Sequence, residues 1–348
     1  MNNITAYILL FICAFLGAYG ATFIVRKWAE SKQLFDKPAR RKVHTRKIPT
    51  LGGIAIWLGF NLAMWLAFFL LPELRAGFGF QFMGISIGLF VIFVTGIVDD
   101  LRDLNAKFKL VIQIVVAIML IIYGFEIDLI TNPLGDGSQA LGILSVFITI
   151  IWIVGMINAI NLLDGLDGLA AGVSAIAVFF LFIAAVQMNM LAVAVLSICL
   201  IGALAGFLPH NFFPAKIFMG NTGSMFLGLI LSIIAIAGFQ KRTAVFTLFV
   251  PFMAMAIPIL DTFLSIFRRF MRRQPIFKAD KEHIHHKLLK LEHSQSRVVI
   301  SLYFLTGCFG LIALGFSRLQ GGYALIALVI VAVVTIKWLK SWGFLDFK

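Results

Sequence analysis

A chain of 348 residues that is 61% hydrophobic and only 13% charged carries more apolar surface than a soluble core of that size can hide, which excludes an ordinary soluble enzyme. Its formal charge of +13 comes from Lys and Arg clustered between apolar runs, so the basic balance reads as membrane topology and not as a nucleic-acid surface. Cys13, Cys199 and Cys308 sit in separate apolar runs, where inert packing is expected and a disulfide or cysteine metal site is not.

Apolar runs of roughly 17 to 25 residues mark membrane-spanning helices. They predict about eleven spans, at 5–25, 50–71, 82–98, 107–124, 141–160, 168–187, 190–208, 222–238, 244–267, 298–317 and 322–341. The runs continue from end to end, so residues 1–348 are expected to form a single all-α polytopic membrane domain. The first run lacks a basic leader and a cleavage site, and is expected to stay as a span. With the N-terminus outside and the C-terminus cytoplasmic, 25 of the 29 Lys and Arg residues fall on the inner side, leaving Arg75, Lys241, Arg242 and Arg318 outside. The outer connection 126–140, with Asn132-Pro133 and Gly135-Asp136-Gly137, predicts a turn-rich hairpin without chemistry.

The polar clusters that packing does not explain all fall on the predicted inner face. The first loop runs through Arg40, Arg41, His44, Arg46 and Lys47 into Pro49-Thr50-Leu51-Gly52-Gly53. Its charge suits a positive-inside anchor, while the glycine-bearing helix start would offer N–H groups to an anion, with Arg46 or Lys47 neutralising a phosphate. The third span ends in Asp99-Asp100-Leu101-Arg102-Asp103, acids at a helix C-terminus that oppose the helix dipole and call for a cation. Lys107 and Lys109 follow, suited to a phosphate at the membrane surface.

From the end of the fifth run into the inner loop that follows, Asn158, Asn161, Asp164 and Asp167 recur at three-residue steps up to Gly168. Polar groups at that density belong at a helix end or in a wet cavity, and at this spacing neighbouring members converge on one ligand. Phe218-Met219-Gly220-Asn221-Thr222-Gly223-Ser224 reads first as an N-cap, a role compatible with anion binding. The last large inner loop holds His283, His285 and His286 among Lys281, Lys287 and Lys290. No cysteine lies near them, so anion contact is favoured over zinc.

These five clusters, in this order and on one membrane face, resemble the polyprenyl-phosphate N-acetylhexosamine-1-phosphate transferases, specifically the WecA/TagO-like branch that shares its fold with the MraY enzymes. The resemblance implies attack by the phosphate of undecaprenyl phosphate on the β-phosphorus of UDP-N-acetylglucosamine, giving undecaprenyl-diphospho-N-acetylglucosamine and UMP. It implies Mg2+, with Mn2+ as a substitute, in a multi-pass protein of the bacterial cytoplasmic membrane whose active site faces the cytoplasm. Carried over by motif, Asp99 and Asp100 are the paired catalytic acids, with Asp99 nearer the acceptor phosphate that Lys109 contacts. Asn161 and Asn221 are the metal positions. Asn158, Asp164, Asp167, His283, His285 and His286 lie toward the sugar nucleotide, with Arg46 or Lys47 as helpers.

One position departs from the family pattern. Relatives carry Asp where this chain has Asn221, so the resemblance implies a site of lower ligand charge and weaker Mg2+ binding. Two other assignments remain to be weighed: an MraY-like enzyme using UDP-N-acetylmuramoyl-pentapeptide, and a membrane transporter, which would set ionisable groups at several depths. The glycan pathway stays open, as does a homodimer, which lipid-facing spans could support.

Overall fold

The computed structural model describes residues 3–36, 47–131, 138–239, 255–271, 288–289 and 294–316, together with Val333 and Lys337. The long helices are α1 (Asn3–Ser31), α2 (Gly53–Leu70), α3 (Pro72–Arg102), α4 (Ala106–Ile122), α5 (Leu144–Leu163), α6 (Leu169–Gln187), α7 (Leu191–Asn211), α8 (Gly220–Phe239), α9 (Ala256–Met271) and α10 (Gln295–Phe316). Two short antiparallel ribbons join them: β1 (Phe35–Asp36) with β2 (Ile48–Pro49), and β3 (Leu129–Thr131) with β4 (Ser138–Ala140). The second ribbon is the hairpin anticipated at 126–140, with Leu129 opposite Ala140.

Among the described residues, eight helices, α1 to α3, α5 to α8 and α10, are long and apolar enough to cross a membrane. The chain is a polytopic, mostly helical membrane protein. Helix α4 has 17 residues, about 25 Å of rise. The expected span at 244–267 is described only from Met255, and that at 322–341 lies outside the described residues except at Val333 and Lys337. Helix α3 corrects the expected start at 82. It begins at Pro72, with only Leu71 between it and the end of α2, with proline in its first turn and Glu73 beside the positive end of the dipole. The dip in hydropathy around Arg75 is therefore a polar helical turn, not a loop.

Helix α8 is the axis of the bundle: it packs against α2, α3, α5, α6 and α7, and its residues from Thr222 to Ala237 are buried on all sides. Around it, helices turn small side chains inward and large ones outward. Along α1, Ala6, Leu10, Ala14, Ala18 and Thr22 are buried at four-residue steps, while Ile8, Ile12, Leu16, Phe23 and Ile24 are exposed. That stripe lets the α1 backbone approach α2 and α7, the packing that replaces hydrophobic collapse between helices in lipid. A side-chain Cβ added at Gly202 of α7 would sit 2.8 Å from the Ala14 Cβ. Ala14→Leu is therefore expected to lower stability by about 1–3 kcal/mol through overpacking, read as a drop in thermal midpoint in detergent that Leu16→Ala, on the exposed face, does not reproduce.

Several hydroxyls buried within the helices are satisfied locally. Thr22, Thr95, Thr149 and Thr306 each donate to the carbonyl four residues earlier, at 2.6 to 2.8 Å. Such bonds pair these four hydroxyls within their own helices and need no water-filled path.

Candidate active site

Of the predicted polar residues, Asp99, Asp100, Lys109, Asn158, Asn161, Asp164, Asp167 and Asn221 lie where α3, α5 and α7 end and α2, α4, α6 and α8 begin. This is one end of the bundle. Helix α3 closes on Asp103 in a left-handed conformation (φ 49°, ψ 74°), and Asn105 accepts from Lys107 N at 3.0 Å to cap α4. The tight turn folds α4 back along α3 and sets Lys109 over Asp99. Lys109 Nζ donates to Asp99 Oδ2 at 2.9 Å, and Leu104 N donates to Asp99 Oδ1 at 2.9 Å. The Asp99 side chain is 2% exposed and the lysine 25%, so the carboxylate depends on this partner.

Removing one member of a buried ion pair leaves an uncompensated charge and costs about 3–5 kcal/mol, while removing both costs less. Lys109→Met is thus expected to lower stability more than Lys109→Met combined with Asp99→Asn. Chemical denaturation of the four members of this cycle checks the sign of the coupling.

Asp100, one residue on, points toward α8. Its Oδ1 accepts from Asn221 N at 2.7 Å, and its Oδ2 accepts from Thr222 N at 3.0 Å and Thr222 Oγ1 at 2.6 Å. The Gly220–Ser224 segment was expected to cap itself or to receive an external anion. Instead, a carboxylate 121 residues earlier in the chain supplies the cap. The positive end of the α8 dipole and two otherwise orphaned N–H groups explain the preference. Gly220 is required for this approach: it has φ +70°, and an added Cβ would lie 2.5 Å from Asp100 Oδ2 and 2.8 Å from Thr50 Oγ1.

The start of α2 is joined to the same turn through main chain. Phe218 N donates to Pro49 O at 2.9 Å, Gly52 N to Phe218 O at 2.8 Å and Gly53 N to Met219 O at 2.9 Å. This corrects the expectation that Pro49-Thr50-Leu51-Gly52-Gly53 presents free N–H groups to a phosphate, because the Gly52 and Gly53 donors are taken by carbonyls. The glycines serve close contact instead, since a Cβ on Gly53 would overlap the Gly223 backbone. Lys47 is exposed just before β2, while Arg46 lies outside the described residues, as do His283, His285 and His286.

Helix α5 brings the two amide positions together. Asn161 Nδ2 donates to Asn221 Oδ1 at 2.7 Å and to Ser224 Oγ at 2.8 Å. One turn earlier, Asn158 Nδ2 donates to Gln113 Oε1 at 2.7 Å, tying α5 to α4 four residues beyond Lys109. Past α5, Asp164 is half-buried as the helix C-cap. Asp167 is buried, and its Oδ2 accepts from Ala215 N at 2.9 Å, anchoring the loop between α7 and α8. Asp164 and Asp167 thus border one turn, at the same end as the Asn161–Asn221 pair.

Thr222, Ser224 and Gln113 complete this arrangement and were not singled out from the sequence. Thr222 and Ser224 lay within a motif already marked, but nothing in the sequence linked them to Asp100 or Asn161. Gln113, a buried amide four residues after Lys109 in an apolar helix, was a readable signal of a polar partner.

Sequence comparisons bear on this end of the bundle. The family model described as Glycosyl transferase family 4 matches residues 82–239, the stretch from α3 to α8 that carries Asp99, Asp100, Asn161 and Asn221. The chain is 37% identical to the probable undecaprenyl-phosphate N-acetylglucosaminyl 1-phosphate transferase of Bacillus subtilis over 307 residues, covering 88% of this chain and 84% of that relative. The chain belongs to the polyprenyl-phosphate N-acetylhexosamine-1-phosphate transferase family. Members of the family differ in their named lipid. A decaprenyl-phosphate N-acetylglucosaminephosphotransferase of Mycobacterium leprae is 36% identical over 345 residues, with 91% of this chain and 86% of the relative covered. An undecaprenyl-phosphate alpha-N-acetylglucosaminyl 1-phosphate transferase of Pasteurella multocida is 34% identical over 289 residues, with 81% and 79% covered. As a transferase of this family, the protein is an enzyme.

Proposed function

We propose that this enzyme transfers N-acetylglucosamine-1-phosphate from UDP-N-acetylglucosamine to undecaprenyl phosphate at the cytoplasmic face of a bacterial inner membrane. An oxygen of the lipid phosphate forms a bond to the β-phosphorus, the bond from that phosphorus to the bridging oxygen breaks, and UMP leaves with that oxygen. The observation that carries the proposal is the convergence of Asp100 and Asn161 on the Gly220–Ser224 turn, with the Asp99–Lys109 pair alongside. A site at one end of a membrane bundle suits an acceptor anchored in lipid and a donor dissolved in water.

Phosphoryl transfer depends mainly on positioning and charge neutralisation. Lys109 sits on α4 with part of its side chain exposed, suited to meet the acceptor phosphate while Asp99 holds its ammonium in place. Asp100 acts through α8: it fixes the Asn221 and Thr222 backbone and is a positioning residue in this scheme. Asp164 and Asp167 border the turn assigned to the nucleotide, with Asn158 fixing α5 behind it. Arg46 or Lys47 and the histidines 283, 285 and 286 are assigned to the donor diphosphate and sugar by motif.

Among the described residues no group of three or more His, Cys, Asp and Glu side chains gathers as a metal site. The donor set at Asn161 and Asn221 is oxygen-bearing but neutral, and Asp99 and Asp100 are already engaged by N–H and O–H donors. These residues fit Mg2+ held largely by the donor's phosphates, through the amide oxygens of Asn161 and Asn221, the mode in which this ion takes few protein ligands. When bound, the ion neutralises phosphate charge during transfer. Mn2+ satisfies the same oxygen chemistry.

The test is purified protein with undecaprenyl phosphate, Mg2+ and either UDP-N-acetylglucosamine or UDP-N-acetylmuramoyl-pentapeptide. Lipid-linked product and equimolar UMP from the first donor are expected. Product from the second alone would assign the enzyme to the MraY-like reaction.

A further inference from the structure

Tyr303 lies on α10, far in sequence from every motif, yet it reaches the turn between α5 and α6. Its hydroxyl donates to the Gly168 carbonyl at 2.5 Å. That carbonyl also accepts from Gly172 N at 2.9 Å, the bond that opens α6. Gly168 is the N-cap of α6 and has φ +75°, so the chain reverses sharply there, immediately after Asp167. The phenol lies in a space created by Gly172, where an added Cβ would overlap the Tyr303 ring. Phe212 also neighbours it, with ring centroids 6.5 Å apart. Phe212 begins the loop whose Ala215 N–H is held by Asp167. Tyr303 therefore touches the Asp164–Gly168 turn, the first turn of α6 and the loop leading to Gly220.

We infer that Tyr303 is a positioning residue for the nucleotide end of the site: its hydroxyl fixes the Gly168 carbonyl and thereby the direction in which Asp164 and Asp167 present their carboxylates. The physical reason is the geometry of the turn. A glycine in the left-handed region is free to move among several backbone conformations, and a hydrogen bond from a ring packed beside Gly172 and Phe212 selects one of them. The packing of α10 on α6 holds that ring in place. This role rests on the proposed placement of the Asp164–Gly168 turn beside the nucleotide.

The experiment uses the full-length protein in detergent, with UDP as the probe, and compares the unaltered chain with Tyr303→Phe. The substitution keeps the ring in the Gly172 space and removes only the hydroxyl. Loss of one hydrogen bond of this kind predicts about a fivefold weaker UDP dissociation constant. In turnover assays the same factor is expected in KM for the sugar nucleotide, with kcat and KM for the lipid phosphate unchanged. Hydrogen exchange at the Leu169–Gly172 amides should be faster. Gly172→Ala, which displaces the ring, should give the same KM split. Equal UDP affinity in the two proteins would overturn the role, as would an equal loss in kcat and in both KM values, which marks a general structural defect. Absence of UDP binding by the unaltered chain would remove the nucleotide site itself and this role with it, and the exchange rates would still report whether the hydroxyl holds the turn.

Discussion

Replacing Asp100 by Ala is expected to reduce turnover at least about a hundredfold and to loosen the start of α8. Asp100 receives three hydrogen bonds, from Asn221 N, Thr222 N and Thr222 Oγ1, and bonds to an ionised acceptor are worth roughly 1.5–3 kcal/mol each. Losing them frees two N–H groups at the positive end of the α8 dipole and releases Asn221 from its position opposite Asn161. Asp100→Asn retains one acceptor oxygen but turns an NH2 group toward either the backbone or the Thr222 hydroxyl, so it should fall between the unaltered chain and Asp100→Ala. Hydrogen exchange at residues 221–224, measured beside turnover, separates the two roles this acid could have. A capping residue gives graded exchange that tracks the graded activity. An acid that acts on substrate would leave exchange native and make both variants equally inactive.

The second large effect is expected at Asn221. In Asn221→Asp the first carboxylate oxygen continues to accept from Asn161 Nδ2, and the second replaces an NH2 group with an anionic oxygen. Because Asn221 N already donates to Asp100, the new charge lies close to an existing carboxylate. Without Mg2+ the variant should therefore be less stable than the unaltered chain. With Mg2+ the order should reverse. A full negative charge in place of a neutral amide beside a divalent cation is strongly favourable, and after the cost of desolvation and of the neighbouring Asp100 carboxylate about a tenfold tighter apparent Mg2+ affinity is expected. The measurement is thermal midpoint against Mg2+ concentration, with UDP present, for both chains, followed by turnover under the same conditions. Identical Mg2+ dependence in the two would show that position 221 does not meet the ion.

Which parts of this architecture could be read from the sequence follows from what membranes forbid. Carboxylates and amides inside apolar runs are costly, so Asp99, Asn161 and Asp167 stood out as residues needing compensation. Their partners did not. Asp100 and Thr222 are 122 residues apart, and no local rule separates a helix that caps itself from one capped by a distant acid. For the same reason Gly52 and Gly53 looked like anion ligands, because their satisfaction by the Phe218 and Met219 carbonyls is a tertiary event. The start of α3 was misplaced for a different reason: a hydropathy window is lowered by Arg75, whereas Pro72 followed by Glu73 is a helix-start signal independent of apolarity. Tyr303 gave no signal at all, since a lone tyrosine in an apolar helix reads as packing until Gly168 and Gly172 are brought beside it.

The proposal turns on the bond that breaks, and UDP-N-acetylglucosamine labelled with phosphorus-32 at the β-phosphate reports it directly. Incubated with purified protein, undecaprenyl phosphate and Mg2+, the label should pass into the lipid fraction as unlabelled UMP accumulates at the same rate. Label left in released UDP, with unlabelled sugar on the lipid, would mean that the sugar alone is transferred and would contradict the account, as would the absence of any lipid-linked product from both the unaltered chain and Asn221→Asp.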